Sequence, residues 1–376
     1  MEKTVKALGL MSGTSADGLS VAYCGIKGRS LRVRKFANYA YPAALQARII
    51  AAKDMLAPEL SALNFELGRL WAGMVKKFCR AGGISLKSLD VIGSHGQTVW
   101  HAPGRKGHTF QIGDPAFLAE ATGVPVVSDF RPADMAAGGE GAPLVPFMDE
   151  YLYGGGAPVA LQNIGGVGNI SFAGKGVKTF GFDTGPGNSL MDTAVFELSD
   201  GKLSCDRGGR WAAAGEPDME KVRALLKAPF FLRRPPKSLD RSEYTLAFIR
   251  KNFGPMFSRR RSRDLLATLN AFTAASIALA FGRYAPRGAR ELIVAGGGAL
   301  NPVLMDNIAA FLLPLGAGVR SCAELGLHPL AKEPACFALL AALALRGRVN
   351  HCPSATGARA PRVLGRLSSP FPGRHI

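Results

Sequence analysis

An α/β fold in two similarly built domains is the architecture this sequence predicts, on three observations. Its 376 residues exceed what a single compact core usually holds, so two domains are expected. Apolar segments of strand length alternate with segments of helical period along the chain, the mark of an α/β protein. A strand, glycine turn, strand order also occurs twice, over residues 5–26 and again over residues 159–172, which points to a duplicated architecture.

Taken in order, residues 5–10 read as a strand, 11–18 as a turn and 19–26 as a returning strand, with alternation over 29–36 supplying a third. Helical periodicity follows over 42–53 and 61–80. A short strand over 90–93 is expected to deliver His95, Gln97 and His101 to a strand-end loop. Another, over 124–128, delivers Asp129, Arg131 and Asp134. The second half opens with a strand over 159–164, a turn at Gly165-Gly166-Val167-Gly168-Asn169 and a strand from 170; a further strand over 177–182 runs into Asp183. Helices are expected over 189–199, 219–227, 265–283, 301–313 and 335–345, and a strand over 291–295 feeds Gly296-Gly297-Gly298. The tail, rich in Pro, Gly, Ser and Arg, reads as surface chain packing back on the first domain.

Composition narrows the function classes. Hydrophobic residues make up 47% of the chain, enough to fill two cores and contrary to general disorder. Cys24, Cys79, Cys205, Cys322, Cys336 and Cys352 show no CxxC spacing and read as thiols of a reducing, cytoplasmic compartment. The apolar run 7–11 behind Lys3 and Lys6 is too short for an export signal. The longest apolar stretch, 265–281, contains Asn270 and reads as a buried helix, not a membrane span. A net charge of +18 raises the question of nucleic acid. The basic run 259–263 and the arginine-rich tail lack spaced aromatics that could stack bases, so no nucleic-acid partner is expected, and the charge reads as basic surface in a protein with anionic substrates.

Several constellations carry chemistry. The turn Gly9-Leu10-Met11-Ser12-Gly13-Thr14-Ser15-Ala16-Asp17-Gly18 lacks the P-loop pattern and is followed by a strand. Its backbone N–H groups and hydroxyls nonetheless present donors to a phosphate, and Asp17 presents a carboxylate to magnesium. Gly165 and Gly166 form a second such turn and Gly296, Gly297 and Gly298 a third, before a helix. One glycine cluster is more often only a turn; three, each after an apolar strand, suggest a bound nucleotide. Asp183, at a strand end before Thr184-Gly185-Pro186-Gly187-Asn188, is placed to take a proton from a hydroxyl or water, the competing reading being an Asx-turn or helix cap. Asp192 is a weaker metal or structural candidate. His95, Gln97, Asp129 and Arg131 suit recognition of hydroxyl, amide and carboxylate groups, with Arg131 able to grip a carboxylate bidentately. His95 and His101 lack the partners a zinc site needs.

Together these segments resemble, along nearly the whole chain, the anhydro-N-acetylmuramic acid kinase family of the actin, hexokinase and Hsp70-like ATPase superfamily. The resemblance is carried by the turn at 9–18, Gly93-Ser94-His95-Gly96-Gln97-Thr98, Gln111-Ile112-Gly113-Asp114-Pro115, Asp129-Phe130-Arg131, residues 134–143, Asn163-Ile164-Gly165-Gly166, Phe182-Asp183-Thr184-Gly185-Pro186-Gly187-Asn188, Pro236-Lys237-Ser238 and Gly296-Gly297-Gly298 with Asn301. It implies two actin-like (ribonuclease-H-like) domains with a nucleotide and sugar cleft, the first over 1–128 with the returning tail 355–376 and the second over 129–354. It also implies a homodimer that uses ATP and Mg2+ to convert 1,6-anhydro-N-acetylmuramic acid to N-acetylmuramic acid 6-phosphate in cell-wall recycling. Carried over, Gly13, Thr14, Ser15, Ala16, Asp17, Gly18, Leu19 and Ser20 match the ATP phosphate-binding segment, Asp183 the catalytic aspartate and Glu333 a glutamate near the substrate. The sequence departs from the family pattern at Ser20 (usually Asp), Glu140 (Gln), Leu239-Asp240 (Thr-Gly) and Pro334 (Ala). Two other readings remain open at this point: another sugar kinase of the same fold, and an ATP-hydrolysing interaction protein.

Overall fold

The computed structural model describes residues 3–104, 106–235, 237–239, 244–254 and 257–370. Pro236 and Asp240, singled out in the sequence, lie outside the described residues, as does the end of the tail.

The chain folds as two compact units, one of Met1–Leu152 with Gly326–Ile376 and one of Tyr153–Leu325. In the first, β1 (Val5–Ser12), β2 (Gly18–Lys27) and β3 (Ser30–Ala40) form an antiparallel meander. β4 (Val91–Ala102) lies parallel to β1, β5 (His108–Ile112) folds back antiparallel on the far end of β4, and β6 (Val126–Ser128) runs parallel to β4. The helix Ala57–Gly82 covers one face of this sheet, where Leu63, Leu67, Trp71 and Val75 pack with Leu8, Leu10 and Ile92. The helix Lys332–Ala344 covers the other. It approaches the sheet closely because Gly9 and Gly93 carry no side chain: a Cβ at these positions would lie 1.7 Å from the Pro334 carbonyl oxygen and 2.1 Å from that of Phe337.

In the second unit β7 (Val159–Ile164), β8 (Val167–Ala173) and β9 (Phe180–Pro186) make the same meander. β10 (Glu291–Ala295) adds parallel to β7, and β11 (Gly318–Ser321) parallel to β10. The helix Ser262–Tyr284 is long and apolar enough to cross a membrane by length and composition, yet 89% of its most apolar window is buried within the protein. Its Leu265, Phe272 and Ile277 sit in one core with Phe172, Val294 and Ile308. The chain then returns to the first unit and ends its sheet with β12 (Arg366–Ser368), antiparallel to β6. The strand orders are β12-β6-β4-β1-β2-β3 and β11-β10-β7-β8-β9. Three antiparallel strands followed by parallel ones, twice over, make this a pair of actin-like, ribonuclease-H-like domains.

The structure departs from the sequence reading in three respects. Residues 129–152 and 326–354, assigned to the second domain, pack with the first. The buried Lys332–Asp149 ion pair at 2.9 Å and the burial of helix Lys332–Ala344 on the first sheet hold them there. β4 does not stop at Gly93 but continues to Ala102, so His95, Gln97 and His101 are strand residues, the last two in the stretch paired with β5. Likewise β9 runs through Asp183 to Pro186, so Asp183 is a strand residue and not the first residue after a strand.

Candidate functional site

In the first unit the turn between β1 and β2 is built around Ala16, which takes φ +50° and is fully buried, its N–H donating to the Gly13 carbonyl at 3.0 Å. Thr14, Ser15 and Asp17 are thereby left on the exposed side, and the Ser15 hydroxyl donates to Asp17 Oδ1 at 3.1 Å. A chain of buried polar groups supports the turn from below. Trp71 Nε1 donates to the Tyr41 hydroxyl at 2.8 Å, Tyr41 bonds Ser12 Oγ at 2.9 Å, and Ser12 donates to Gln97 Oε1 at 2.6 Å. Gln97 Nε2 closes the chain on the Gly13 carbonyl at 3.2 Å. Gln97, expected to face the sugar, has its amide bonded to Ser12 and to the turn at Gly13. Ser20 lies on β2, its hydroxyl bonded to Asn38 Oδ1 at 3.2 Å, which places it on the strand behind the turn.

His95 and Arg131 form a second group. His95 is buried; its Nδ1 bonds the Gly96 carbonyl at 2.9 Å, so Nε2 is left to accept from Arg131 Nε at 3.1 Å and Nη2 at 3.0 Å. Burial first, and the neighbouring Arg131 charge second, push its pKa down to about 3, which keeps the ring neutral and able to accept. Both nitrogens being engaged, His95 orients Arg131 rather than reaching outward. Arg131 and Asp134 stand on a short helix, Phe130–Ala136, not in a loop, and the exposed Glu333, in the first turn of Lys332–Ala344, is the opposite charge felt by Arg131. Pro334 next to it falls in that same first turn, where a missing N–H costs nothing. Asp134 is fully buried, accepting from Thr356 Oγ1 at 2.6 Å and the Gly141 N–H at 2.6 Å and bonding His351 Nε2 at 2.5 Å; it ties His351 and Thr356 to the helix Phe130–Ala136. A polar cavity of about 380 Å³ opens beside the middle of β4, β5 and the end of β6, with Ser94, His95, Gln111, Asp114, Asp129 and the half-exposed Phe110 in its wall. The Ser94 hydroxyl there is buried and, among the described residues, has no hydrogen-bond partner. Gln111 and Phe110 were not assigned to the site because nothing marked β5 as a strand that carries them to this wall.

The second unit holds Asp183. β9 is an edge strand, and the segment Lys237–Leu239 covers its open side: the Asp183 N–H donates to the Lys237 carbonyl at 3.1 Å, and Leu239 N–H donates to Asp183 Oδ2 at 2.8 Å. The carboxylate is therefore held by backbone, which explains how leucine serves where the family has threonine. It is not a helix cap, since the helix Ser189–Leu198 begins after Asn188. The loop following Asp183 lies on the second glycine turn, with Gly187 N–H donating to Gly166 O at 2.9 Å and Asn188 N–H to Gly165 O at 2.8 Å. The third turn meets it from the other side. Gly296 takes φ +85°, and a Cβ there would lie 2.5 Å from the Ile164 carbonyl oxygen at the end of β7. Gly297 and Gly298 form a single 3-10 turn before Asn301, whose Oδ1 caps the helix Pro302–Leu312 by accepting from Leu304 N–H at 3.2 Å. Gly165, Gly166, Gly296, Gly297, Gly298 and Asn301 are thus brought together, with a helix N-terminus among them. Asp192, in the first turn of Ser189–Leu198, is pushed up to about 6 by burial and by Asp206, which suits a partly protonated structural group better than a metal ligand.

Among the described residues no group of three or more metal-ligating side chains occurs. An exposed aspartate beside a phosphate-type turn is nevertheless the donor set that magnesium accepts, because the ion keeps most of its water and takes one or two carboxylates along with phosphate oxygens. Asp17 fits that role.

Two ribonuclease-H-like sheets, each with a glycine turn between its first two strands, and a strand-borne aspartate gripped by backbone define a phosphotransferase of the actin-like ATPase superfamily. The anhydro-N-acetylmuramic acid kinase family model matches residues 5–370. A protein of that description from Caldanaerobacter subterraneus subsp. tengcongensis is 36% identical over 96% of both chains. Another, from Variovorax paradoxus, is 40% identical over 96% of this chain and 98% of its own. The chain belongs to the anhydro-N-acetylmuramic acid kinase family and is an ATP-dependent kinase. Among solved structures, the activator of 2-hydroxyisocaproyl-CoA dehydratase from Clostridium difficile covers 90% of this chain and 94% of its own at a TM-score of 0.46 and 10% identity, a likeness too distant to carry an argument.

Proposed function

We propose that this kinase converts 1,6-anhydro-N-acetylmuramic acid and ATP to N-acetylmuramic acid 6-phosphate in peptidoglycan recycling, with Asp183 as the base. The observation that supports this most is the grip on Asp183: one carboxylate oxygen is tied to Leu239 N–H, which fixes the direction of a group that can accept a proton.

The 1,6-anhydro bridge ties up O6, so there is no free 6-hydroxyl to phosphorylate. Asp183 takes a proton from water as the water oxygen bonds to C1. The C1–O6 bond breaks, and O6 bonds to the γ-phosphorus of ATP as ADP leaves. The donors of the turn Gly13–Ser20 and of Gly165-Gly166 stabilise the charge that accumulates on the phosphate chain. Magnesium, held by Asp17, would supply further neutralisation of those phosphates. In unit 1 Arg131, aimed by His95, is the group for the lactyl carboxylate, while Asp129, the adjoining polar cavity and Glu333 receive hydroxyl and amide groups. A cytoplasmic homodimer is the form in which the activity is proposed to operate, on the strength of the family.

Incubation with Mg-ATP and a panel of sugars, with products identified by mass, tests the assignment. The anhydro sugar is expected to be phosphorylated in clear preference; preference for glucose or free N-acetylmuramic acid would refute the substrate.

A further inference from the structure

Lys237 is an unusual residue to find beside the proposed base. It is a lysine only 7% exposed, and burying an ammonium is costly unless its surroundings compensate. What surrounds it is specific: Nζ donates to the Phe230 carbonyl at 3.2 Å and lies over two aromatic faces, 4.6 Å from the Phe230 centroid and 5.6 Å from that of Phe182. Phe182 is the residue before Asp183, and Phe230 lies on the short helix Pro229–Leu232. The ammonium thus joins that helix to β9 at the base. The backbone on either side of it makes the two contacts already described, Lys237 carbonyl to Asp183 N–H and Leu239 N–H to Asp183 Oδ2.

We infer that Lys237 is a positioning residue for the reaction: its pinned ammonium fixes the 237–239 segment that grips Asp183, and its charge keeps the carboxylate in the form that accepts a proton. The inference rests on the reading of Asp183 as base. Simple packing is a poor alternative, because a methionine or leucine would fill the same space between Phe182 and Phe230 without the cost of desolvating a charge. Among the described residues the charged groups facing Lys237 are Arg283, Arg233 and Asp183. Burial, then Arg283 and Arg233, push its pKa down to about 8, against which Asp183 pulls it up. Two arginines alone would favour a neutral amine, so the aspartate is the partner that makes the charged form useful here. Below about pH 8 the ammonium is charged and supports an anionic Asp183; removing it makes the carboxylate easier to protonate.

The test is the pH profile of kcat, with KM for ATP and sugar, for the parent, K237M, K237Q and D183N between about pH 5 and 9. K237M is expected to lose up to about tenfold in kcat on the acid side of its limb while KM for ATP stays within about twofold. Its acid limb should move up by about one unit, the lower end of what one neighbouring charge does to a carboxylate, and turnover should approach the parental value on the plateau above the limb. K237Q keeps a donor for the Phe230 carbonyl, so it is expected to fold with near-parental melting and to show the same displaced limb. An acid limb at the parental position in a folded variant overturns the inference, and so does a loss that is uniform with pH. D183N separates this failure from that of the underlying reading. If D183N is inactive and K237M has the parental profile, only the role of Lys237 falls; if D183N turns over at near-parental rate, the base and its positioning residue fall together.

Discussion

Replacing Gln97 with leucine asks whether this side chain serves the phosphate turn, as its hydrogen bonds indicate, or the sugar, as its sequence context suggests. The amide is 2% exposed and makes two long-range bonds, accepting from Ser12 at 2.6 Å and donating to the Gly13 carbonyl at 3.2 Å. Each is worth about 0.5–1.5 kcal/mol net. Ser12 retains Tyr41 and the Gly13 carbonyl retains the Ala16 N–H as partners, so neither is orphaned and the total comes to about 1–3 kcal/mol. That cost divides between lower stability of the first unit and a looser turn, and each 1.4 kcal/mol falling on the turn weakens ATP about tenfold. Urea unfolding together with initial-rate kinetics reads both. The expected result is a lower unfolding midpoint and a KM for ATP raised up to about tenfold, with KM for the sugar within about twofold. A variant whose sugar KM rises while its ATP KM holds would refute the reasoning and return Gln97 to the sugar.

Gly9→Ala would drive a Cβ to 1.7 Å from the Pro334 carbonyl oxygen; we expect a loss of about 3 kcal/mol or more from forced displacement of the helix Lys332–Ala344, measured by urea unfolding. Gly73→Ala, in the helix Ala57–Gly82 with nothing within 4 Å of the new Cβ, is expected instead to stabilise by about 0.5–1 kcal/mol. His95 contributes a pH term of definite sign. Its folded pKa of about 3 lies below the ordinary 6.5, so on acidification the unfolded chain takes up a proton that the folded one refuses. The stability it contributes is complete above about pH 6.5 and is lost towards pH 3, by about 1.4 kcal/mol for each unit of fall well inside that window. Unfolding at pH 7 and pH 5 should therefore show a larger drop for the parent than for H95Q, and equal drops would contradict this assignment.

What could be read from the sequence follows physical lines. The strands β1, β2, β7 and β10 and the long helices carry strong apolar patterns, and each was legible. β5 and the outer half of β4 were not, because residues 108–112 and 97–102 mix polar and aromatic residues that pair with each other and, Gln97 and Ile112 apart, are not buried. Domain boundaries were displaced for a related reason: the helix Lys332–Ala344 is buried nearly all round, so its periodicity does not say which sheet it covers. Local motifs marked the glycine turns and Asp183. The Trp71, Tyr41, Ser12, Gln97 chain and the Lys237 contact with Asp183 join residues far apart in sequence, and no local spacing announces them. Lys237 and Leu239 illustrate the point from the other side, for the second of them meets Asp183 through backbone alone and its side chain carries no signal of that contact.

In the proposed reaction, water activated by Asp183 opens the anhydro ring while O6 takes the phosphoryl group. The most direct measurement is a single turnover in ¹⁸O-labelled water, quenched quickly and analysed by mass with unlabelled product as a control for anomeric exchange. The mechanism places one ¹⁸O at C1 of the sugar phosphate and none in the phosphoryl group or at O6. Label in the phosphate, or a freshly formed product without label at C1, would contradict it.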